Sequence, residues 1–188
     1  MIVLLYIIMT YFVVWPLSLV FVKSQYKKRD MTVQALPDCL QTTISYYLPN
    51  LHYFKRLTDI LILPILISSY IYIFDDDIVI YVLLCFCFRC VCYMSTILPV
   101  STPNAMTSYK DYLFRGEHDL IYSGHISHLY APLYYMVRRN LLCDFTKYSW
   151  YLIIFMCSFI LIGSKNHYTI DIILVFPCCQ FIYNLFGF

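Results

Sequence analysis

Six apolar segments, separated by polar loops, run along the chain. They cover residues 1–22, 58–74, 78–100, 120–137, 148–163 and 168–188. A helix of about 20 apolar residues crosses the hydrocarbon core of a bilayer. The segment 58–74 is short and contains Pro64, which a membrane helix tolerates where neighbouring groups satisfy the freed carbonyl. The pattern therefore predicts an all-α, polytopic membrane protein, a six-transmembrane-helix bundle in which residues 1–188 form one membrane-embedded domain.

The first apolar segment has a second interpretation, as a signal peptide. It lacks a basic start and a small-residue cleavage pattern near its end. We therefore expect this segment to be the first spanning helix.

Composition agrees with a membrane protein. Hydrophobic residues make up 61% of the 188 residues, charged residues 13%, and the mean hydropathy is +0.69, so the chain has more apolar surface than a soluble domain of this size buries. The net charge of +2 gives no indication of a nucleic-acid partner.

Most of the nine cysteines lie inside apolar segments, where cysteine acts as a small hydrophobe, so we infer no disulfides. The spacing of Cys85, Cys87, Cys90 and Cys92 is not typical of a structural zinc site, because zinc ligands come in close pairs on a turn.

Two short segments carry a histidine where a polar loop enters an apolar segment. In the second, residues 165–171, Asp171 follows His167 at i+4. If the chain is helical from Thr169 onward, the carboxylate lies one turn away on the same face and can hold one imidazole nitrogen. This spacing predicts an oriented, activated histidine.

The first of these segments, residues 117–125, ends in Ser123, Gly124 and His125. Free backbone N–H groups and the helix dipole at such a helix start favour a bound phosphate. One histidine that attacks phosphorus and one that protonates the leaving oxygen are sufficient for phosphoryl transfer. Six crossings also place the loops before His125 and His167 on the same side of the membrane, which cooperation between the two requires.

Ser123-Gly124-His125, followed about forty residues later by His167-Tyr168-Thr169-x-Asp171, resembles the two catalytic motifs of the sphingomyelin synthases and related sphingolipid synthases. That family is a branch of the type 2 phosphatidic acid phosphatase superfamily. The two motifs occur here in the family's order, and each lies at a membrane edge.

The resemblance implies a transferase that moves a phospho-head group from a glycerophospholipid to a ceramide-type acceptor and releases diacylglycerol. His167 would form a phosphohistidine, Asp171 would fix its tautomer, and His125 would protonate the departing diacylglycerol oxygen and later deprotonate the acceptor hydroxyl. No metal or other cofactor is implied. We expect Ser123, Gly124 and Tyr168 among the substrate-binding residues.

Arg89 lies near the middle of the third predicted span. A charge there costs about 2.5–3.5 kcal/mol on insertion scales, so an intramembrane arginine is by default functional or paired. The surrounding Phe88-Arg89-Cys90 resembles a further motif of the same family. Arg89 either binds the lipid phosphate or a catalytic carboxylate, or forms a structural ion pair with Asp171 or Asp119.

Other positions match the family only in part. Leu36-Pro37-Asp38 resembles its Pro-Leu-Pro-Asp motif, with Ala35 where the first proline would stand, and an ordinary proline-containing loop explains it equally well. Glu117 and Asp119, with His118 between them, either bind a choline or ethanolamine cation or form a solvated loop edge. His128 either assists the site or is an interior histidine.

Two alternative functions stay open. In a lipid phosphate phosphatase of the same superfamily, water accepts the phosphoryl group, but that group usually has an Arg-Pro dipeptide and an arginine six residues before the nucleophile. This chain has no Arg-Pro, and Leu161 occupies the latter position, which favours a phosphodiester substrate. The third interpretation is a non-catalytic lipid-binding membrane protein.

Two indications disagree on which side of the membrane carries the site. Nine basic residues lie in the loops on the side of the two histidine segments, against Arg138, Arg139 and Lys147 on the other, so the positive-inside rule predicts a cytosolic site. The resemblance implies a lumenal or extracellular site, in the Golgi, endoplasmic reticulum or plasma membrane, and we follow it. The head group (choline, ethanolamine or inositol) and the oligomeric state, a homo-oligomer included, stay open.

Overall fold

A computed structural model of the chain describes residues 9–28, 37–54, 57–58, 60–62, 76–95, 122–165 and 167–188. This described part is all-helical, without a strand, which confirms the all-α part of the prediction. A π-helical turn, Thr10–Val14, is followed by α1 (Trp15–Lys28), α2 (Cys39–Tyr47), a 3₁₀ helix (Pro49–Phe54), α3 (Asp76–Ser95), α4 (Gly124–Arg138), α5 (Asp144–Gly163), α6 (Thr169–Ile173) and α7 (Val175–Phe186).

Among the described residues, two helical segments are long and apolar enough to cross a membrane, Asp144–Gly163 and Thr169–Phe186, and Phe12–Phe21 is a shorter apolar helix. The predicted span 58–74 lies mostly outside the described residues, as do the ends of the spans 1–22 and 78–100. The six-span bundle therefore stays a prediction.

The helix ends differ from the predicted ends for local reasons. α4 begins at Gly124 because Tyr122 adopts a left-handed backbone conformation (φ 66°) and the Ser123 side chain caps the helix at the Ile126 N–H. α5 begins at Asp144, earlier than residue 148, and its exposed acidic residue suits the positive end of the helix dipole. The last segment divides at Leu174, three residues before Pro177, whose ring disfavours a continuous α-helix there.

α4 is the central helix. It packs against α3, α5 and α7, and its buried side chains point in all directions around the helix axis. At its C-terminal end, Tyr135 packs with Tyr81 of α3 and Tyr183 of α7, with ring centroids 5.6–6.1 Å apart. Its N-terminal end lies against the turn that precedes α6. An aromatic cluster thus closes one end of the bundle, and both histidine segments lie at the other.

α2 and the 3₁₀ helix lie against the C-terminal end of α5. A Cβ atom at Gly163 would stand 2.5 Å from Ile44 Cγ2 and 2.5 Å from Leu51 Cδ1, so any other residue there would force these side chains to move. The contact brings α2 to the end of the bundle that carries the histidines.

Large apolar side chains remain exposed on α5. They include Phe145, Leu152, Phe155 and Met156, which are exposed by 81, 61, 64 and 47%. A continuous exposed apolar face of this kind is typical of a surface that contacts lipid or another protein.

Candidate functional site

The two histidines of the predicted site are neighbours. His125 stands in the first turn of α4, and His167, which is only 4% exposed, stands in the turn before α6. Their ring centroids are 5.9 Å apart and their planes meet at 73°. At this separation, both imidazoles can contact the same phosphoryl group.

A backbone hydrogen bond joins the two histidine segments. The N–H of Ser123, the capping residue of α4, donates to the carbonyl oxygen of Asp171 in α6 at 3.0 Å. Because backbone groups make this contact, the relative position of the segments does not depend on a flexible side chain.

Asp171 is fully buried and lies beside His167, as the i+4 spacing predicts. One carboxylate oxygen, Oδ2, accepts a hydrogen bond from the Tyr168 N–H at 2.8 Å and lies 3.7 Å from His167 Nδ1. That distance is within ion-pair range but longer than a hydrogen bond. With Nδ1 directed to the carboxylate, Nε2 is the nitrogen of His167 suited to attack phosphorus.

Arg89 lies against the first turn of α4. The residue is 4% exposed. Its guanidinium donates from Nε to the Tyr122 carbonyl oxygen at 3.1 Å and stacks with its carbon 4.3 Å from the centre of the Trp15 ring. A Cβ atom at Gly124 would stand 2.9 Å from the guanidinium carbon, so glycine is what allows the approach. The charge adds to the positive end of the helix dipole, at the point where an anion is expected to bind.

Asp171 does not pair with Arg89. Among the described residues, the ion-pair partner of this carboxylate is His167. The proposed structural ion pair with Asp171 is therefore wrong, and the one with Asp119 lies outside the described residues.

Tyr122 adopts a conformation that a large L-residue rarely takes, at a cost of about 1–3 kcal/mol. Its carbonyl accepts from Arg89, and its hydroxyl lies 3.1 Å from Cys179 Sγ and 3.4 Å from Ser127 Oγ. Contacts at both ends of the residue stabilise a turn that its own backbone preference disfavours. The turn directs Ser123, Gly124 and His125 toward the second segment.

His128 lies one turn further along α4. Its Nδ1 is 2.7 Å from the Gly124 carbonyl oxygen, which can only accept, so Nδ1 carries the hydrogen. Its ring packs edge-on against Phe86, with centroids 5.5 Å apart. These contacts agree with an interior histidine whose hydrogen bond is made within its own helix.

Asp38 and Gln41 join the site without having been predicted as site residues. Asp38 Oδ1 accepts from the Gln41 N–H and from Thr169 Oγ1, both at 2.9 Å, and Oδ2 accepts from the Thr169 N–H at 2.6 Å. Gln41 Nε2 donates to the His167 carbonyl oxygen at 2.9 Å. The spacing Asp-x-x-Gln indicates a helix start, but nothing local in the sequence predicts the contact with residues 167–169.

The charge of Asp38 is stabilised where it stands. Burial alone raises the pKa of this carboxyl, but the hydrogen bonds from Gln41 and Thr169 outweigh it and lower the pKa below its usual value. Asp38 is therefore an ionised acceptor at neutral pH.

Some predicted residues lie outside the described part of the chain, namely Glu117, His118 and Asp119. Within the part that is described, no three His, Cys, Asp or Glu side chains are grouped so that they could hold a metal ion.

The chain matches no protein-family model, no curated protein and no solved structure. A functional assignment therefore depends on the geometry of the site and on the resemblance of its two motifs.

Proposed function

We propose that this protein is a sphingomyelin-synthase-like transferase that moves phosphocholine or phosphoethanolamine from a glycerophospholipid to ceramide. The observation that carries the proposal is the pair of imidazoles, 5.9 Å apart between ring centroids, with a buried carboxylate beside Nδ1 of one of them. Two histidines that differ in their partners suit two different roles, a nucleophile and a proton carrier.

In the first half of the reaction, His167 Nε2 attacks the phosphorus of the donor lipid. An N–P bond forms, the P–O bond to diacylglycerol breaks, and protonated His125 gives its proton to the departing oxygen. Asp171 stabilises the positive charge that develops on the His167 ring. The N-terminal turn of α4, with Arg89 against Gly124, favours the negative phosphoryl oxygens.

In the second half, the ceramide hydroxyl takes the place of diacylglycerol. His125, now neutral, accepts the hydroxyl proton while the oxygen attacks phosphorus. The N–P bond breaks, His167 is restored, and the phospho-head group leaves on ceramide. Both histidines end in their starting protonation states.

The lipid substrates require access from a membrane, and we propose a multi-pass arrangement with six spans and a lumenal or extracellular site. The two apolar helical segments long enough to span and the exposed apolar face of α5 support it. Golgi, endoplasmic reticulum and plasma membrane are the compartments where both lipids would be met.

The test is to incorporate the purified protein into vesicles with phosphatidylcholine, phosphatidylethanolamine, phosphatidic acid and a fluorescent ceramide, and to identify products by mass spectrometry. We expect ceramide phosphocholine or ceramide phosphoethanolamine together with diacylglycerol. Unchanged ceramide, with phosphate released from phosphatidic acid, would show a phosphatase instead. Unchanged lipids throughout would favour the non-catalytic alternative. Asp144→Asn, at the far end of α5, serves as a charge-matched control for Asp171→Asn.

A further inference from the structure

We propose that Asp38 and Gln41 are positioning residues that hold the turn carrying His167 in the geometry phosphoryl transfer needs. This inference rests on the proposed function of His167. It adds a part of the site contributed by α2, a short helix remote in sequence from both histidine segments.

The two side chains bind two residues of one turn, His167 and Thr169. Gln41 holds the carbonyl of His167, and Asp38 holds both the N–H and the hydroxyl of Thr169. Between them, the N–H of Tyr168 is held by Asp171. Side chains therefore fix backbone groups of three successive residues, of which the first is the proposed nucleophile.

α2 is itself well anchored. Gln41 and Ile44 are 6 and 8% exposed, and the helix approaches α5 where Gly163 leaves room for Ile44. Asp38 also caps α2 through the Gln41 N–H. The hydrogen bonds to the His167 turn thus start from a fixed element, which is what precise placement of a reacting group requires.

The hydrogen bonds from Asp38 and Gln41 are made to the turn that carries His167 and not to the first turn of α4. Loss of the α2 contacts should therefore disturb attack on phosphorus more than binding of the donor at Arg89 and Gly124. A displacement of about 1 Å costs up to about a hundredfold in rate. We expect Asp38→Ala to lower kcat by about 10- to 100-fold, with KM for the donor lipid changed by less than about threefold.

Thr169→Val tests the same contact from the other side. It removes the hydroxyl donor while Asp38 and its cap on α2 remain, so it is informative even if Asp38→Ala unfolds α2. If one interaction underlies both effects, the double variant should lose little more activity than Asp38→Ala alone. Thr43→Val is the matched control, because among the described residues the Thr43 hydroxyl bonds within its own helix, to the Cys39 carbonyl. Additive losses in the double variant would contradict a shared contact.

A second measurement does not depend on turnover. Diethyl pyrocarbonate modifies accessible neutral imidazoles, and its rate at each histidine is read by peptide mass spectrometry. His167 is 4% exposed, so it should react slowly in the original protein and several-fold faster in Asp38→Ala, with the rate at His125 unchanged. A purely global loss of packing would raise both rates together and would overturn the inference.

The two measurements separate the inference from the proposed function. If the original protein transfers no head group but His167 becomes selectively reactive in Asp38→Ala, the positioning contact stands and the transferase proposal fails. If the protein is an active transferase and Asp38→Ala changes neither kcat nor the reactivity of His167, the positioning role is wrong and the transferase proposal stands.

Discussion

The Ser123 N–H and the Asp171 carbonyl oxygen, 3.0 Å apart, connect two segments that lie more than forty residues apart in the chain. This bond places the capping residue of α4 directly against the first turn of α6. His125 lies a few residues after Ser123, and His167 lies a few residues before Asp171. Their proximity is therefore set by backbone geometry, and changes to either side chain should affect chemistry more than fold.

Asp171→Asn should lower kcat for head-group transfer by about 10²–10⁴-fold. The amide oxygen can still accept from the Tyr168 N–H, so the turn is retained, but the negative charge beside His167 Nδ1 is lost. Initial rates in vesicles would measure the effect. The control Asp144→Asn, which removes a carboxylate that is 86% exposed, should stay within about twofold of the original protein. Equal losses in both variants would contradict the assignment.

His167→Ala should abolish the covalent intermediate, whereas His125→Ala should slow its formation by about 10²–10⁴-fold without removing its site. The reason is that only one imidazole bonds to phosphorus in the proposed sequence. Rapid quenching with an isotopically labelled donor lipid, followed by peptide mass spectrometry at alkaline pH, locates the label. A label on His125 would reverse the roles of the two histidines.

Gly124→Ala should destabilise the protein by about 1–3 kcal/mol and reduce activity, because the new Cβ would stand 2.9 Å from the Arg89 guanidinium carbon. Thermal unfolding in detergent measures the first effect. In Arg89→Ala the guanidinium is absent, so a Cβ at position 124 does not clash with it. Adding Gly124→Ala to that variant should therefore destabilise the protein much less. Equal costs of Gly124→Ala in both backgrounds would mean that the two residues do not contact.

The contact of Asp38 with Thr169 should persist through the neutral pH range. The folded state lowers the pKa of Asp38, so its contribution to stability is present above the unfolded value of about 3.9 and is lost as the pH falls through the lower folded value. The difference in melting temperature between the original protein and Asp38→Asn should thus be constant from about pH 5 to 8 and shrink below about pH 4. A difference that shrinks between pH 5 and 8 would contradict the assigned hydrogen bonds.

Accessibility in sealed microsomes should place the loop after α1 and the turn after α4 on opposite sides of the membrane. We expect a tag inserted near residue 30 to be protected and one inserted after Asn140, an exposed turn position, to be digested. Digestion of the first tag with protection of the second would give the site a cytosolic location, as the positive-inside rule suggests. Equal behaviour of both tags would contradict the proposed topology.

The sequence was sufficient for features that depend on near neighbours. Apolar segments predicted an all-helical chain, and the i+4 spacing of His167 and Asp171 predicted their contact, because a helix start brings such residues together. It did not predict the exact helix ends, since the left-handed Tyr122 is stabilised by Arg89 and Cys179, which are distant in the sequence.

Tertiary structure alone determined which polar groups surround the histidines. Asp38 reaches Thr169 across 131 residues, and Arg89 fits against Gly124 only because α3 and α4 approach closely. No local pattern encodes such contacts, because they depend on the packing of whole helices at glycine positions. The sequence determined which groups could do the chemistry, and the packing of the helices decided which of them meet.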